Sequence, residues 1–224
     1  MNHILLVEDE PTLCDAYRFI LQGLQEKKSL PKSKIVSCNS YKNSIATIDN
    51  ILKSKKQLHF CILDYRISNN GNSDSENGLE IGKLVRRIFP NCKIMVITSI
   101  SKKYILHQIF EEIRPCGFLL KNESDFSSIS EDICNVWKGK TVYSASISNI
   151  VQKGIGCDVD LDTKDLKIIH LMSKGIPLPK IAQKVHLSIS GLEYRKRKLA
   201  EKLGASSSNI QDLLNLATNE YNIL

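Results

Sequence analysis

No apolar stretch in this chain approaches the roughly 18 residues that a membrane-spanning helix needs, so no helical span is expected. The seven cysteines (Cys14, Cys38, Cys61, Cys92, Cys116, Cys134 and Cys157) include no Cys-x-x-Cys pair and are odd in number. That pattern argues against a disulfide framework and fits small buried hydrophobes in a reducing compartment. The five histidines show no zinc-ligand spacing, which argues against a structural zinc. The N-terminal Met1-Asn2-His3-Ile4-Leu5-Leu6-Val7 has neither the basic flank nor the cleavage pattern of a secretory signal, so a cytoplasmic protein is expected. Internal repeats are absent, and the only biased patch is an Asn/Ser-rich stretch near residues 68–77.

What is present is an ordinary globular composition: 42% apolar and 25% charged residues over 224 positions, enough for one large domain or two small ones. The formal charge of +7 hints at an anionic partner, but only if it is localised.

The chain is organised around Leu58-His59-Phe60-Cys61-Ile62-Leu63-Asp64-Tyr65-Arg66, an apolar run that stops at a carboxylate. A run of this length without helical period fits a strand covered on both faces, as in a parallel sheet flanked by helices. Before it come a strand at residues 3–7, a helix opened by Pro11 with Leu13, Ala16, Tyr17, Ile20, Leu21 and Leu24 on one stripe, a strand at residues 35–38 and a helix around Ile45, Ile48 and Ile51. After it come a polar, turn-rich segment, a helix closed by Pro90, a strand at residues 93–98, a helix over about residues 102–112, and a fifth strand, Gly117-Phe118-Leu119-Leu120-Lys121. Five strands alternating with helices predict an α/β, doubly wound, five-stranded parallel sheet.

Parallel strands point their carboxyl ends to one edge, where chemistry gathers in such folds. Glu8, Asp9, Asp64, Thr98 and Lys121 all end strands, so they are predicted to meet. Three clustered carboxylates raise one another's proton affinity unless a cation neutralises them. Oxygen-only ligands suit Mg²⁺ or Mn²⁺. In that setting Lys121 pairs with a phosphoryl group, Asp64 is the nucleophile and Thr98 donates a hydrogen bond.

In Ile-Leu-Leu-Val-Glu-Asp-Glu, Cys-Ile-Leu-Asp, Val-Ile-Thr-Ser and Gly-Phe-Leu-Leu-Lys, residues 1–137 resemble the receiver domain of bacterial two-component response regulators. The resemblance implies that Asp64 accepts a phosphoryl group. It assigns the divalent metal to Glu8, Asp9, Asp64 and the backbone carbonyl of Arg66. It makes Thr98 and Lys121 sensors of the phosphoryl group, and Thr98 with Phe118 the switch pair. By its residue type alone, Phe118 is more often a core aromatic on a strand. Against the family pattern, the Asp64–Gly78 segment is about half a dozen residues longer and lacks the common proline, and Asn122 stands where many receivers have proline. Asp74 and Glu76 in that long loop are either further metal neighbours or solvated turn residues.

Residues 125–137 read as the last receiver helix, 138–160 as a linker, and 161–224 as a small all-α domain of four helices. Asp162 or Thr163 caps the first helix, Pro179 opens the second, and the third carries Leu192, Leu199 and Leu203 on one face. Ser206 to Ser208 cap the fourth. Two short helices joined by a tight turn, the second basic, describe a helix-turn-helix. On the third helix Ser190, Tyr194 and Arg197 project opposite the apolar stripe, while Arg195 and Lys196 flank it with heads able to reach phosphates. Lys198 completes the basic run. Glu193 either closes a capping box begun by Ser190 or, if Ser188 is the cap, lies in the helix body. This half, with Lys180-Ile181-Ala182, Leu187-Ser188-Ile189-Ser190 and Lys202-Leu203-Gly204, resembles the LuxR-type DNA-binding domain. By that likeness Glu193, Tyr194 and Arg197 are groove-facing, Arg195 replaces the usual histidine, Gly191 the usual threonine, and the final helix dimerises.

The combined expectation is a phosphorylation-controlled, DNA-binding transcriptional regulator that is not an enzyme beyond its own phosphoryl transfer and hydrolysis. Its expected partners are a sensor histidine kinase or phosphotransfer protein, double-stranded DNA and a second copy of itself, with no membrane. Two rivals are a phosphohydrolase, disfavoured because Arg66 stands where a second carboxylate is needed, and a phosphorylation-independent DNA-binding or docking module whose receiver is a dimerisation scaffold.

Overall fold

The computed structural model describes residues 1–67, 77–153 and 161–219. By contact it divides into two compact units, Met1–Ile100 with Gln108–Ile147, and Ser101–His107 with Ser148–Leu224. Asp74 and Glu76 lie outside the described residues.

The first unit alternates strand and helix: β1 (Asn2–Val7), α1 (Pro11–Glu26), β2 (Ser33–Cys38), α2 (Tyr41–Lys53), β3 (Phe60–Leu63), α3 (Gly78–Ile88), β4 (Lys93–Thr98), the second half of α4 (Lys103–Ile113), β5 (Gly117–Leu120), α5 (Phe126–Trp137), β6 (Val142–Tyr143) and the start of α6 (Ala145–Lys153). Every strand pairing is parallel, in the order β2-β1-β3-β4-β5-β6. The sheet therefore has six strands rather than five. The extra one is a two-residue strand, too short to show as an apolar run, inside the segment read as a linker.

Residues alternating along the central strands divide between two layers. Ile4, Leu6, Phe60, Ile62, Met95, Ile97 and Leu119 form one core with Tyr17, Leu21, Ile129, Ile133 and Val136 of α1 and α5. On α3, a Cβ at Gly82 would stand 2.3 Å from the Ile113 side chain and 3.1 Å from Leu63, so that helix lies close because glycine is there. Local signals set the helix starts: Pro11 occupies the first turn of α1, Ser40 and Asn77 cap α2 and α3, and Asp125 with Ser128 forms a capping box on α5.

The second unit contains four helices after residue 160: α7 (Thr163–Ser173), α8 (Leu178–Lys184), α9 (Ile189–Leu203) and α10 (Ile210–Asn219). Leu166, Ile169, Ile181, Val185, Leu192, Leu199, Leu203 and Leu213 form their shared core. Helix α9 stops at Gly204, whose φ of 68° suits a residue without Cβ. At the start of α10 the Asn209 carbonyl accepts from Leu213 N–H and its Oδ1 from Gln211 N–H (both 3.1 Å), so that helix begins one residue beyond the serines expected to cap it.

Candidate functional site

The strand ladder carries the carboxylates into place. Glu8 N–H donates to the Cys38 carbonyl (3.1 Å) and Asp64 N–H to the Val7 carbonyl (3.0 Å), extending the pairing one residue past β1 and β3. Asp64 and Glu8 thus emerge side by side from adjacent strands. Both are buried, at 4% and 2% exposure. One ligand oxygen from each of Glu8, Asp9 and Asp64 lies within 4.8 Å of the others. Lys121, just past β5, donates from Nζ to Asp64 Oδ2 (2.7 Å) and Glu8 Oε2 (2.9 Å).

The second oxygens are held by backbone: Arg66 N–H donates to Asp64 Oδ1 (3.1 Å) and Glu10 N–H to Glu8 Oε1 (3.3 Å). A Cβ on Gly78 would come within 2.0 Å of the Asp64 carbonyl oxygen, so the start of α3 reaches this pocket only because residue 78 is glycine. Thr98 is wholly buried at the end of β4, in register with Leu120, and its Oγ1 accepts from Ile100 N–H (3.3 Å).

Three carboxylates face one ammonium here. Burial pushes the Glu8 carboxyl up, only partly opposed by its hydrogen bond and charge attraction to Lys121. For Lys121 burial pulls down, but its bonds to Asp64 and Glu8 reverse that and hold it above the ordinary lysine value. The Tyr17 phenol, read from sequence only as core, is pushed up to about 12 by burial and feels Lys121, Glu8 and Asp64. An oxygen-only donor set in which one ammonium serves both Asp64 and Glu8 is chemically fitted to a small divalent cation.

Phe118 is 1% exposed and in register with Val96 on β4. Its carbonyl accepts from Ser144 N–H (3.0 Å), and Ser144 Oγ accepts from Leu120 N–H (3.3 Å), a tie to the segment after β6 that no sequence signal announced.

In the second unit, α8 and α9 are joined by a turn at 185–188, and Ser188 Oγ accepts from Gly191 N–H (3.0 Å). Ser188 is therefore the cap. Glu193 lies in the helix body, where its carboxylate pairs with Lys196 (2.8 Å). Ser190, Tyr194, Arg197 and Lys198 are exposed, although Lys198 pairs with Glu201 (2.7 Å).

Arg195 is engaged within the helical unit. Its guanidinium lies on Asp162 (2.7 and 2.9 Å) and Asp165 (2.6 Å), while Lys202 adds a second cation to Asp165 (3.1 Å). Asp165 is 2% exposed and closes a capping box with Asp162 on α7. Arg195 thus ties α9 to α7 through its guanidinium. Its partners are a carboxylate pair about thirty residues upstream, invisible to helical periodicity. Lys196, with 13% of its side chain exposed, pairs with Glu193 one turn earlier on the same helix. Sequence reasoning also passed over Ile189, 57% exposed in the first turn of α9; an isoleucine off the Leu192/Leu199/Leu203 stripe was the available signal.

With a parallel sheet that brings acidic, hydroxyl and lysine side chains to its carboxyl edge, and a helical unit containing a helix-turn-helix, the chain is similar to two-component response regulators of the LuxR family. No protein-family model matches the chain. Among curated proteins it is similar to the transcriptional regulatory protein RcsB of Escherichia coli K12, with 26% identity over 201 residues covering 87% of this chain and 88% of RcsB. It is also similar to the oxygen regulatory protein NreC of Staphylococcus carnosus, with 27% identity over 145 residues covering 59% of this chain and 65% of NreC. Two solved structures share the fold. One holds two RcsB dimers bound to two parallel DNAs (22% identity, TM-score 0.60, 96% of this chain and 97% of that one). The other is RcsB of Salmonella enterica serovar Typhimurium bound to promoter rprA with phosphomimetic BeF3⁻ (23% identity, TM-score 0.59, 97% and 98%).

Proposed function

We propose that this chain is a phosphorylation-controlled, DNA-binding transcriptional regulator whose phosphoacceptor is Asp64. The observation that carries the reading is Lys121 Nζ bridging Asp64 and Glu8 in a buried pocket with Thr98 at the neighbouring strand end.

In this reading an Asp64 oxygen attacks the phosphorus of a donor, the bond from phosphorus to the donor breaks, and an acyl phosphate forms on the carboxylate. Glu8, Asp9, Asp64 and the Arg66 carbonyl would hold Mg²⁺ or Mn²⁺, which supplies charge neutralisation for the incoming phosphoryl oxygens. Lys121 exchanges its carboxylate contacts for one to the phosphoryl group. Thr98 Oγ1, which holds Ile100 N–H at 3.3 Å, turns to donate to it. That rearrangement next to buried Phe118 shifts the population between two states of the receiver. The donor is a sensor histidine kinase or phosphotransfer protein, and the output is a homodimer on double-stranded DNA in the cytoplasm. RcsB, the relative matched over most of this chain, has been seen bound to DNA as dimers, which supports the DNA and dimer parts.

On α9, Ser190, Tyr194 and Arg197 form the exposed stripe assigned to the major groove, and Ile189 joins them at the helix start. The helix N-terminus and exposed lysines serve the backbone.

The test is intact mass after incubation with acetyl phosphate and Mg²⁺, followed by duplex binding. A single phosphoryl adduct on wild type, its absence in Asp64→Asn, and tighter DNA binding by the modified protein are expected. Equal DNA binding by modified and unmodified protein would instead favour the scaffold reading.

A further inference from the structure

In an all-parallel sheet every helix-to-strand connection returns to the edge opposite the phosphoryl pocket. In the first unit those connections are residues 27–32, 54–59, 89–92, 114–116 and 138–141. The first contributes Lys27, Lys28 and Lys32, and the second Lys55 and Lys56. Arg114 comes from the fourth, and Lys138 and Lys140 from the fifth. All eight are exposed, and the five connections contain no carboxylate. None of the eight has an ion-pair partner among the described residues.

Nearby helix and strand ends do not cancel this excess. The last helical turns add Lys53, Arg86 and Arg87 against Glu26, Glu111 and Glu112, and the strand starts add Lys34 and Lys93. Lysine at a helix C-terminus ordinarily answers the helix dipole, but at about half a charge each, five helix ends offset only two to three of these cations. The field is felt inside the protein: His3, 6% exposed on β1, is held below the ordinary histidine value by burial and then by Lys56, His59, Lys34 and the N-terminal amine. At the opposite edge the described connections carry six carboxylates, Glu8, Asp9, Glu10, Asp64, Glu123 and Asp125, against three cations, Arg66, Lys102 and Lys121. The sheet is thus electrically polarised from end to end.

We propose that this basic edge is a second nucleic-acid contact, which holds the sugar–phosphate backbone of duplex DNA without reading its sequence. The proposal rests on the DNA-binding function assigned above. Six strands about 4.8 Å apart make a front of roughly 24 Å. A duplex presents one negative charge per about 1.7 Å of its axis, so a segment of that length offers about 14. A row of lysines spread along such a front, rather than gathered in a pocket, suits an extended polyanion, and lysine supplies point charges without the planar fork that reads bases.

The experiment uses the full chain and a 30-base-pair duplex of arbitrary sequence, with affinity measured by fluorescence anisotropy at several salt concentrations. Wild type is compared with a variant carrying Gln at positions 27, 28, 55, 56, 138 and 140, and with Arg197→Ala. Trp137 fluorescence and far-ultraviolet circular dichroism establish that each variant is folded. Each phosphate contact contributes about 0.9 to the slope of log affinity against log salt, so the six-fold variant should be shallower by about 3 to 5 on every sequence. Arg197→Ala should lose about one such contact, together with discrimination between sequences. An unchanged slope and affinity in the six-fold variant, with wild type binding duplex normally, overturns the second contact and leaves the recognition helix intact. Absence of duplex binding by wild type at low salt overturns both. Vesicles of phosphatidylcholine and phosphatidylglycerol that outcompete duplex for wild type, but not for the six-fold variant, would reassign the edge to an anionic membrane and overturn the proposal.

Discussion

Two buried aspartates at 4% side-chain exposure lie in opposite electrostatic situations. Asp64 shares its pocket with Glu8 and Asp9 against the single ammonium of Lys121. Asp165 shares its site with Asp162 against two cations, Arg195 and Lys202. In the first cluster one ammonium serves two buried carboxylates, Asp64 and Glu8, whereas in the second two cations meet Asp162 and Asp165. A buried carboxylate that shares its counter-charge is costly, so the first arrangement favours an added cation, whereas the second serves the fold. The same contrast sets Arg195, paired with Asp162 and Asp165, apart from the exposed Arg197 on the same helix.

The sharpest way to break the comparison is to neutralise each aspartate. Asp64→Asn should abolish the phosphoryl adduct completely, by intact mass, while the Trp137-reported urea midpoint stays put or rises, because a repulsive charge has gone. Asp165→Ala should leave the adduct untouched but destabilise the helical unit by about 3 kcal/mol, from its stranded cations and the lost return bond of the capping box. Circular dichroism in urea would register this, and equal losses in both variants would erase the distinction.

Adding Mg²⁺ should separate the clusters next. At a hundred times its dissociation constant it should stabilise the Trp137-reported transition by about 2.7 kcal/mol and leave the helical transition where it was. A smaller contrast lies within α9. Arg195→Ala should lower the stability of the helical unit, and Arg197→Ala should not, while only Arg197→Ala removes sequence discrimination in duplex binding at fixed salt.

The smallest effect is on pH, and its sign differs between the clusters. Without metal, the raised Glu8 carboxyl binds a proton more readily folded than unfolded. The first unit should therefore gain stability as pH falls from 7 toward 4.5. Asp162 is held low, by its Arg195 hydrogen bond first. Its contribution is present above the unfolded value of about 3.8 and is lost as pH falls through the lower folded value. Urea midpoints from pH 7 to 3 would show the first unit rising before the second falls.

Much of this was legible in the chain because it depends on local chemistry. Apolar runs ending in Glu8, Asp64, Thr98 and Lys121 are strand ends whatever surrounds them, and Asp125, Asp162 and Ser188 cap helices through bonds three residues away. What was not legible is long-range. The sixth strand forms because Val142 and Tyr143 find Gly117 and Phe118 free on the edge of β5, and two residues alone carry no period. The start of α3 could not be assigned to the phosphoryl pocket until Gly78 was found against the Asp64 carbonyl.

The alternation of strands and helices, the residue types at each strand end and the helix-turn-helix pattern were therefore determined by sequence alone, since each is set by neighbours within a few residues. Only the tertiary structure decided which charges neutralise one another. It gave Lys121 to two carboxylates at once, turned Arg195 from solvent onto Asp162 and Asp165, and gathered separate loop lysines along one edge of the sheet. Coulomb interactions act through space, and residues 57 or 113 positions apart become partners only when the chain folds.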